Sequence, residues 1–141
     1  NGAIEIMRRA ERFTICGVGI DRVEIPRVEK MVDGKGDRML QRLLTAEEVA
    51  YAKARARPAM HLAARLAAKE AAFKALSGSD EARLIGWREV EVIPHENAAP
   101  TLLFHGRAAA RAAALNVASV WVSLTHTDTT ASAEVVLARL G

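Results

Sequence analysis

PAMHLAARLAAKEAAFKALSG, residues 58–78, is the longest helical signal in the chain. Proline suits a helix's first turn and glycine the position past its end, so the stretch predicts a helix from Pro58 to Ser77. At about 100° per residue, Ala63, Leu66, Ala67 and Phe73 surround Glu70, which therefore faces the apolar side, while His61, Arg65 and Lys69 form a separate stripe. A carboxylate on an apolar helix face is costly unless it is paired or binds a cation. One reading pairs Glu70 with Lys74 four residues on. The other makes Glu70 a ligand.

Upstream of this helix, residues 14–20, TICGVGI, read as a buried strand that ends in a polar turn at Asp21. Pro26 opens a helix carrying Ile25, Val28, Met31 and Val32, and Gly34 and Gly36 break it. A second short helix is expected over Asp37 to Leu44. Thr45 and Glu48 form a capping box that starts another, running to about Arg55. Downstream, Arg88 to Ile93 alternates as a strand, Pro94 to Pro100 carries turn residues, and Thr101 to Phe104 resumes the extended pattern, which makes a hairpin. An alanine-rich helix follows from Arg107 to Leu115. Strands at Ser119 to Thr125 and Ala131 to Leu137 flank the polar turn His126 to Thr130. The mixed order gives an α+β class.

A chain of 141 residues, 50% hydrophobic and 26% charged, with mean hydropathy +0.03, falls in the range of one globular domain and excludes disorder and collagen-like repeats. No apolar run reaches the roughly 18 residues a membrane span needs, and the charged start does not suit a signal peptide. Residues 1–13 read as an N-terminal extension or a cloning remnant ahead of a single domain over residues 14–141, with Met7 the expected native start. A cytoplasmic location is expected, and the lone Cys16 is compatible with a reducing compartment. The net charge of +3 favours an acidic partner or a phosphorylated ligand. No basic run is interleaved with aromatics, which weighs against nucleic acid.

For chemistry, Asp21 and Glu70 together suit magnesium, which binds through one or two carboxylates plus water and substrate phosphates. Lys74, Lys69 and Arg65 could then hold phosphates. His126 ends the strand face of Val120, Val122 and Leu124, where it is either a solvated turn residue or a group that bonds phosphate or moves a proton. Gly17-Val18-Gly19 opens like a dinucleotide fingerprint, but Arg22 occupies the third glycine position. The four histidines lack zinc-ligand spacing, and Cys16 inside its apolar strand reads as a core residue.

GVGIDRVEIPRVEK, ARLAAKEAAFKAL and VSLTHT, in that order and with GWREVEV before the last, resemble the holo-acyl-carrier-protein synthases over about residues 14–138. The resemblance implies the 4′-phosphopantetheinyl transferase fold, a small antiparallel sheet packed against a long helix and several short ones. It implies transfer of 4′-phosphopantetheine from coenzyme A to a serine of apo acyl carrier protein, with release of adenosine 3′,5′-bisphosphate. By position, Asp21 and Glu70 resemble the Mg2+ ligands and Lys74 a pyrophosphate contact, the three forming the catalytic set. Arg65 and His126 resemble contacts to the coenzyme's phosphates, with Ser123 and Thr127 nearby. Arg27, Met31, Arg38 and Met39 resemble the basic and apolar surface that docks the carrier protein. A homotrimer with active sites between subunits is also implied. The sequence departs from the family at Leu66, in place of a phenylalanine, at Thr125, in place of a serine, and at Ala98-Ala99, in place of a glycine-containing turn.

Two other readings share these residues. One is a transferase domain excised from a larger fatty-acid or polyketide synthase. The other is a catalytically silent module that only binds carrier protein.

Overall fold

The computed structural model describes residues 12–34 and 36–141. Among them the order is β1 (Phe13–Glu24), α1 (Ile25–Asp33), α2 (Asp37–Leu43), α3 (Ala46–Lys53), α4 (Pro58–Leu76), β2 (Val90–His95), β3 (Ala98–Phe104), α5 (Gly106–Ala114), β4 (Ser119–His126) and β5 (Thr130–Leu140), with short 3-10 turns at Glu81–Leu84 and Trp87–Glu89. The class is the expected α+β. All strand pairs are antiparallel, and they form two sheets, β1-β5-β4 and the ribbon β2-β3. The expected N-terminal extension lies outside the described residues up to residue 11, Met7 included, whereas Phe13 already pairs with Leu140.

Strand β1 continues past the turn expected at Asp21. β5 runs beside it, pairing Asp21 with Ala133, Val23 with Ala131 and Glu24 with Thr130, so the backbone groups of these residues are satisfied in a ladder rather than a turn. A register shift between Ile15 and Gly17 interrupts the strand's alternation. Before it, Phe13 and Ile15 face outward; after it, Val18 and Ile20 do. Gly17, Gly19 and Asp21 therefore turn toward α4. A Cβ on Gly19 would overlap the Ala71 carbonyl oxygen, and one on Gly17 that of Ala75, so both glycines are required by close approach of strand and helix. That approach is what the Gly-Val-Gly pair provides, in place of a nucleotide loop.

Helix α4 is covered on nearly every side: Leu62 through Lys69 are all buried. The sheet lies over Ala67, Ala71 and Ala75, and α1 and α3 cover its first half, where Leu62, Ala63 and Leu66 pack with Ile25, Val28 and Ala52. The Arg65 and Lys69 stripe is consequently inside rather than a separate polar face. Lys69 is 0% exposed; its Nζ meets Glu48 Oε1 at 2.8 Å and donates to the Trp87 and Val90 carbonyl oxygens. It is committed to structure and is not a phosphate ligand. Glu48 forms the expected capping box with Thr45 and also accepts from the Val92 amide at 3.0 Å, so one ion pair ties α3, α4 and β2 together.

The β2-β3 hairpin is tighter than the sequence suggests. Its strands extend through His95 and from Ala98, leaving a turn at Glu96 and Asn97, with Asn97 at φ 56 and Pro94 accommodated at a register shift. Arg88 lies in a 3-10 turn, not a strand, and the neighbouring Glu89 carboxylate accepts from the first-turn amide of Arg107. At the far end of α4, Arg111 donates to the Leu76 and Ser77 carbonyl oxygens at 2.7 and 2.9 Å, satisfying acceptors the helix leaves free.

Candidate functional site

Strand β1 delivers Asp21 and helix α4 delivers Glu70 and Lys74 to one place. Asp21 lies two residues beyond Gly19 on the helix-facing side, and Glu70 precedes Ala71, against which Gly19 packs. The two carboxyl groups are within hydrogen-bond reach of each other. Lys74 Nζ lies 3.3 Å from Asp21 Oδ2 and donates to the Ile20 carbonyl oxygen at 3.0 Å, so it turns to β1 and not to Glu70 along its own helix. The Arg22 amide donates to Asp21 Oδ1 at 2.8 Å. Burial pushes the Glu70 carboxyl up to about 7, and the hydrogen bond and negative charge of Asp21 add to the shift. Burial also acts on Asp21, but its hydrogen bonds to Glu70, the Arg22 amide and Lys74 outweigh it and hold this carboxyl below its ordinary value. Glu70 is therefore the member of the pair that keeps its proton up to about pH 7, while Asp21 gives its own up first.

Beside Glu70 a groove of about 430 Å³ opens, lined among others by Arg27, Val28, Met31, Met39, Leu66 and Trp87. Three of the four residues expected to dock a partner thus border the same groove as Glu70. Arg38 is exposed on α2 and does not line it.

Arg65 and His126 belong to a different cleft, of about 190 Å³, with Tyr51, His61 and Thr125. Arg65 and Glu70 are five positions apart on α4, about 140° around its axis, which places the two groups of residues on different sides of the chain. Arg65 is 4% exposed, donates from Nη1 to the His61 carbonyl oxygen at 3.2 Å, and its Nε has no partner. Burial lowers its proton affinity, opposed first by the Tyr51 hydroxyl and then by the Glu48 carboxylate. Burial, then the positive charge of Arg65, Arg55 and His126, likewise lowers the proton affinity of His61. Ser123 and Thr127 do not line this cleft: Ser123 is exposed on β4, and Thr127 Oγ1 accepts from the Thr130 amide at 3.0 Å within the turn. Tyr51 and Arg55 went unmarked in the sequence, where neither stands at a position of unusual polarity.

A model of the 4′-phosphopantetheinyl transferase superfamily matches residues 17–133. The holo-acyl-carrier-protein synthase of Koribacter versatilis is 40% identical over 123 residues, covering 87% of this chain and 98% of that protein. That of Nitratidesulfovibrio vulgaris (strain DP4) is 46% identical over 123 residues, with the same coverage. Among solved structures, the Bacillus anthracis holo-(acyl-carrier-protein) synthase in complex with coenzyme A (3′,5′-ADP) superposes with a TM-score of 0.69 at 31% identity, over 89% of this chain and 97% of that one.

Proposed function

The chain belongs to the 4′-phosphopantetheinyl transferase superfamily, and from that premise we propose that Asp21, Glu70 and Lys74 carry its chemistry. It is a holo-acyl-carrier-protein synthase, an enzyme that transfers 4′-phosphopantetheine from coenzyme A to a serine of apo acyl carrier protein. The observation that carries the assignment is the convergence of the Asp21 and Glu70 carboxyl groups and the Lys74 ammonium, with Glu70 lining an open groove.

The donor set fits Mg2+: Asp21 and Glu70 offer hard oxygens from two elements held in contact, and the remaining positions suit water and substrate phosphate. When bound, the ion would neutralise the pyrophosphate and stabilise charge developing at the β-phosphorus. Asp21 and Glu70 would hold it. Glu70 orients the water that takes the serine proton, and Lys74 steadies the phosphate of the departing adenosine 3′,5′-bisphosphate. Arg65 and His126, with Ser123 and Thr127 as outer contacts, bind the coenzyme's other phosphate. Arg27, Met31, Arg38 and Met39 receive the acidic carrier, in keeping with the net charge of +3.

Because the two half-sites lie on different sides of α4, one coenzyme is gripped by two chains, in a homotrimer with active sites between subunits. The exposed outer face of β1 supports this: Phe13, Ile15, Val18 and Ile20 are 43–63% exposed, and Trp121 of β4 is 49% exposed with its ring edge-on to Phe13 at 5.9 Å. The reading includes a single domain over residues 14–141, a cytoplasmic location, and neither nucleic acid nor membrane as partner. Among the described residues no helix is long and apolar enough to cross a membrane.

Intact mass of apo acyl carrier protein after incubation with the chain, coenzyme A and Mg2+ tests the assignment. One phosphopantetheine is gained, the gain disappears with chelator, and it disappears again in Asp21→Ala and Glu70→Ala. Full turnover by Glu70→Gln at saturating Mg2+ overturns both roles given to Glu70.

A further inference from the structure

We propose that Tyr51 is a positioning residue of the coenzyme site, its ring holding the Arg65 guanidinium in place for the ribose phosphate monoester. The proposal rests on the assignment of Arg65 and His126 to the coenzyme's phosphates and says how Arg65 is kept ready for that task. A guanidinium buried to 4% exposure is normally matched by a carboxylate. Here, among the described residues, none is within ion-pair distance, no Asp or Glu lines the cleft, and Nε is unpartnered. What Arg65 has is the Tyr51 ring, whose centroid is 4.2 Å from its Cζ, and the single carbonyl of His61.

The ring is itself fixed. Arg55 places its Cζ 3.4 Å from the same centroid and donates from Nη1 to the Tyr51 carbonyl oxygen at 2.9 Å, and the His61 ring meets it edge-on at 5.9 Å. Three basic side chains thus gather on one aromatic ring. Donors left uncommitted in a cationic cleft suit a dianion with several acceptor oxygens. Coenzyme A carries such a group in its ribose phosphate, chemically separate from the pyrophosphate that goes to Lys74. With the ring removed, the His61 carbonyl is the one described hydrogen-bond partner left to orient the guanidinium.

Steady-state kinetics with coenzyme A and with 3′-dephospho-coenzyme A test this, because only the first presents the monoester. Wild type should show a much lower KM for coenzyme A, and His126→Ala should shrink that ratio. Tyr51→Leu should raise KM for coenzyme A about tenfold, leave KM for the dephospho compound and kcat within about twofold, and so collapse the ratio. Tyr51→Phe should restore it, since the ring face is what orients Arg65. Arg55→Ala, at an exposed position where folding is not at stake, should move the ratio the same way by about two- to threefold. A wild-type ratio near one overturns the phosphate assignment and this proposal with it. A normal wild-type ratio, sensitive to His126→Ala but unchanged in Tyr51→Leu, or equally lost in Tyr51→Phe, overturns the role of Tyr51 alone. Should Tyr51→Leu fail to fold, an Arg55→Ala ratio equal to wild type overturns it as well.

Discussion

Glu70 and Lys69 are neighbours in sequence with opposite fates. Glu70, with its carboxyl pushed up to about 7, binds its proton more tightly in the fold than the ordinary glutamate value of 4.5 allows. A raised carboxyl contributes stability that is present below about pH 4.5 and is lost as pH rises toward about 7. The protein therefore gives up this contribution across that window, and a cation held by Asp21 and Glu70, as proposed, would offset the loss most where both are ionised. Thermal melts should show a larger Mg2+-induced rise in Tm at pH 8 than at pH 5.5, with chelator abolishing it; equal shifts at the two pH values would sink this account of Glu70. Lys69→Met should cost about 3–5 kcal/mol in urea unfolding, because it strands the Glu48 carboxylate in a buried position. The angle of Glu70 on its helix was legible, since 3.6-residue periodicity needs no knowledge of neighbours. What covers the Lys69 side was not, since its counter-charge comes from Glu48 and its carbonyl partners from Trp87 and Val90, 18 to 21 residues on.

Elements show the same division. Helix α4 begins at Pro58 and ends at Leu76 as its punctuation indicates, and the capping box of α3 is formed by the two residues that announce it. Strand ends were harder to read, because a strand stops where its partner does: β1 reaches Glu24 since β5 starts at Thr130. The Gly-Val-Gly pair was visible as unusual, but its purpose depended on the small residues Ala71 and Ala75 of a helix some fifty positions away. Gly19→Ala places a methyl against a backbone carbonyl that cannot move aside without shifting α4. It should cost about 2–3 kcal/mol or more and, by pushing Asp21 away from Glu70, lower transfer activity beyond what the stability loss explains. Calorimetry alongside kcat at a temperature where the variant stays folded separates the two effects. Unchanged kcat would mean that strand-helix spacing does not set the carboxyl pair.

At the scale of the whole molecule, the outer face of the β1-β5-β4 sheet exposes large apolar side chains, among them Ile15, Val18, Ile20 and Trp121. Ile15 and Ile20 are 63% and 61% exposed, so replacing both with glutamate should change the stability of an isolated chain by no more than about 1 kcal/mol. In the proposed trimer these carboxylates would be buried against apolar side chains, and light scattering should find a monomer whose transfer activity has fallen at least about tenfold. A trimer-sized, fully active variant would show that this face is not the interface. The residues of that face were plain in the sequence as an apolar strand, yet nothing in an apolar strand says which half of it meets a second chain. The register shift beside Cys16 decides that. It works as a one-step phase change in the strand's alternation, so that the odd positions give adhesion before it and chemistry after it. Deleting Cys16 would leave the composition almost untouched and the hydrophobicity profile nearly the same, yet it would exchange inside for outside along one half of the strand. A single missing residue would then put one half of β1 on the wrong side of its sheet, an error of parity that no substitution elsewhere in the chain could correct.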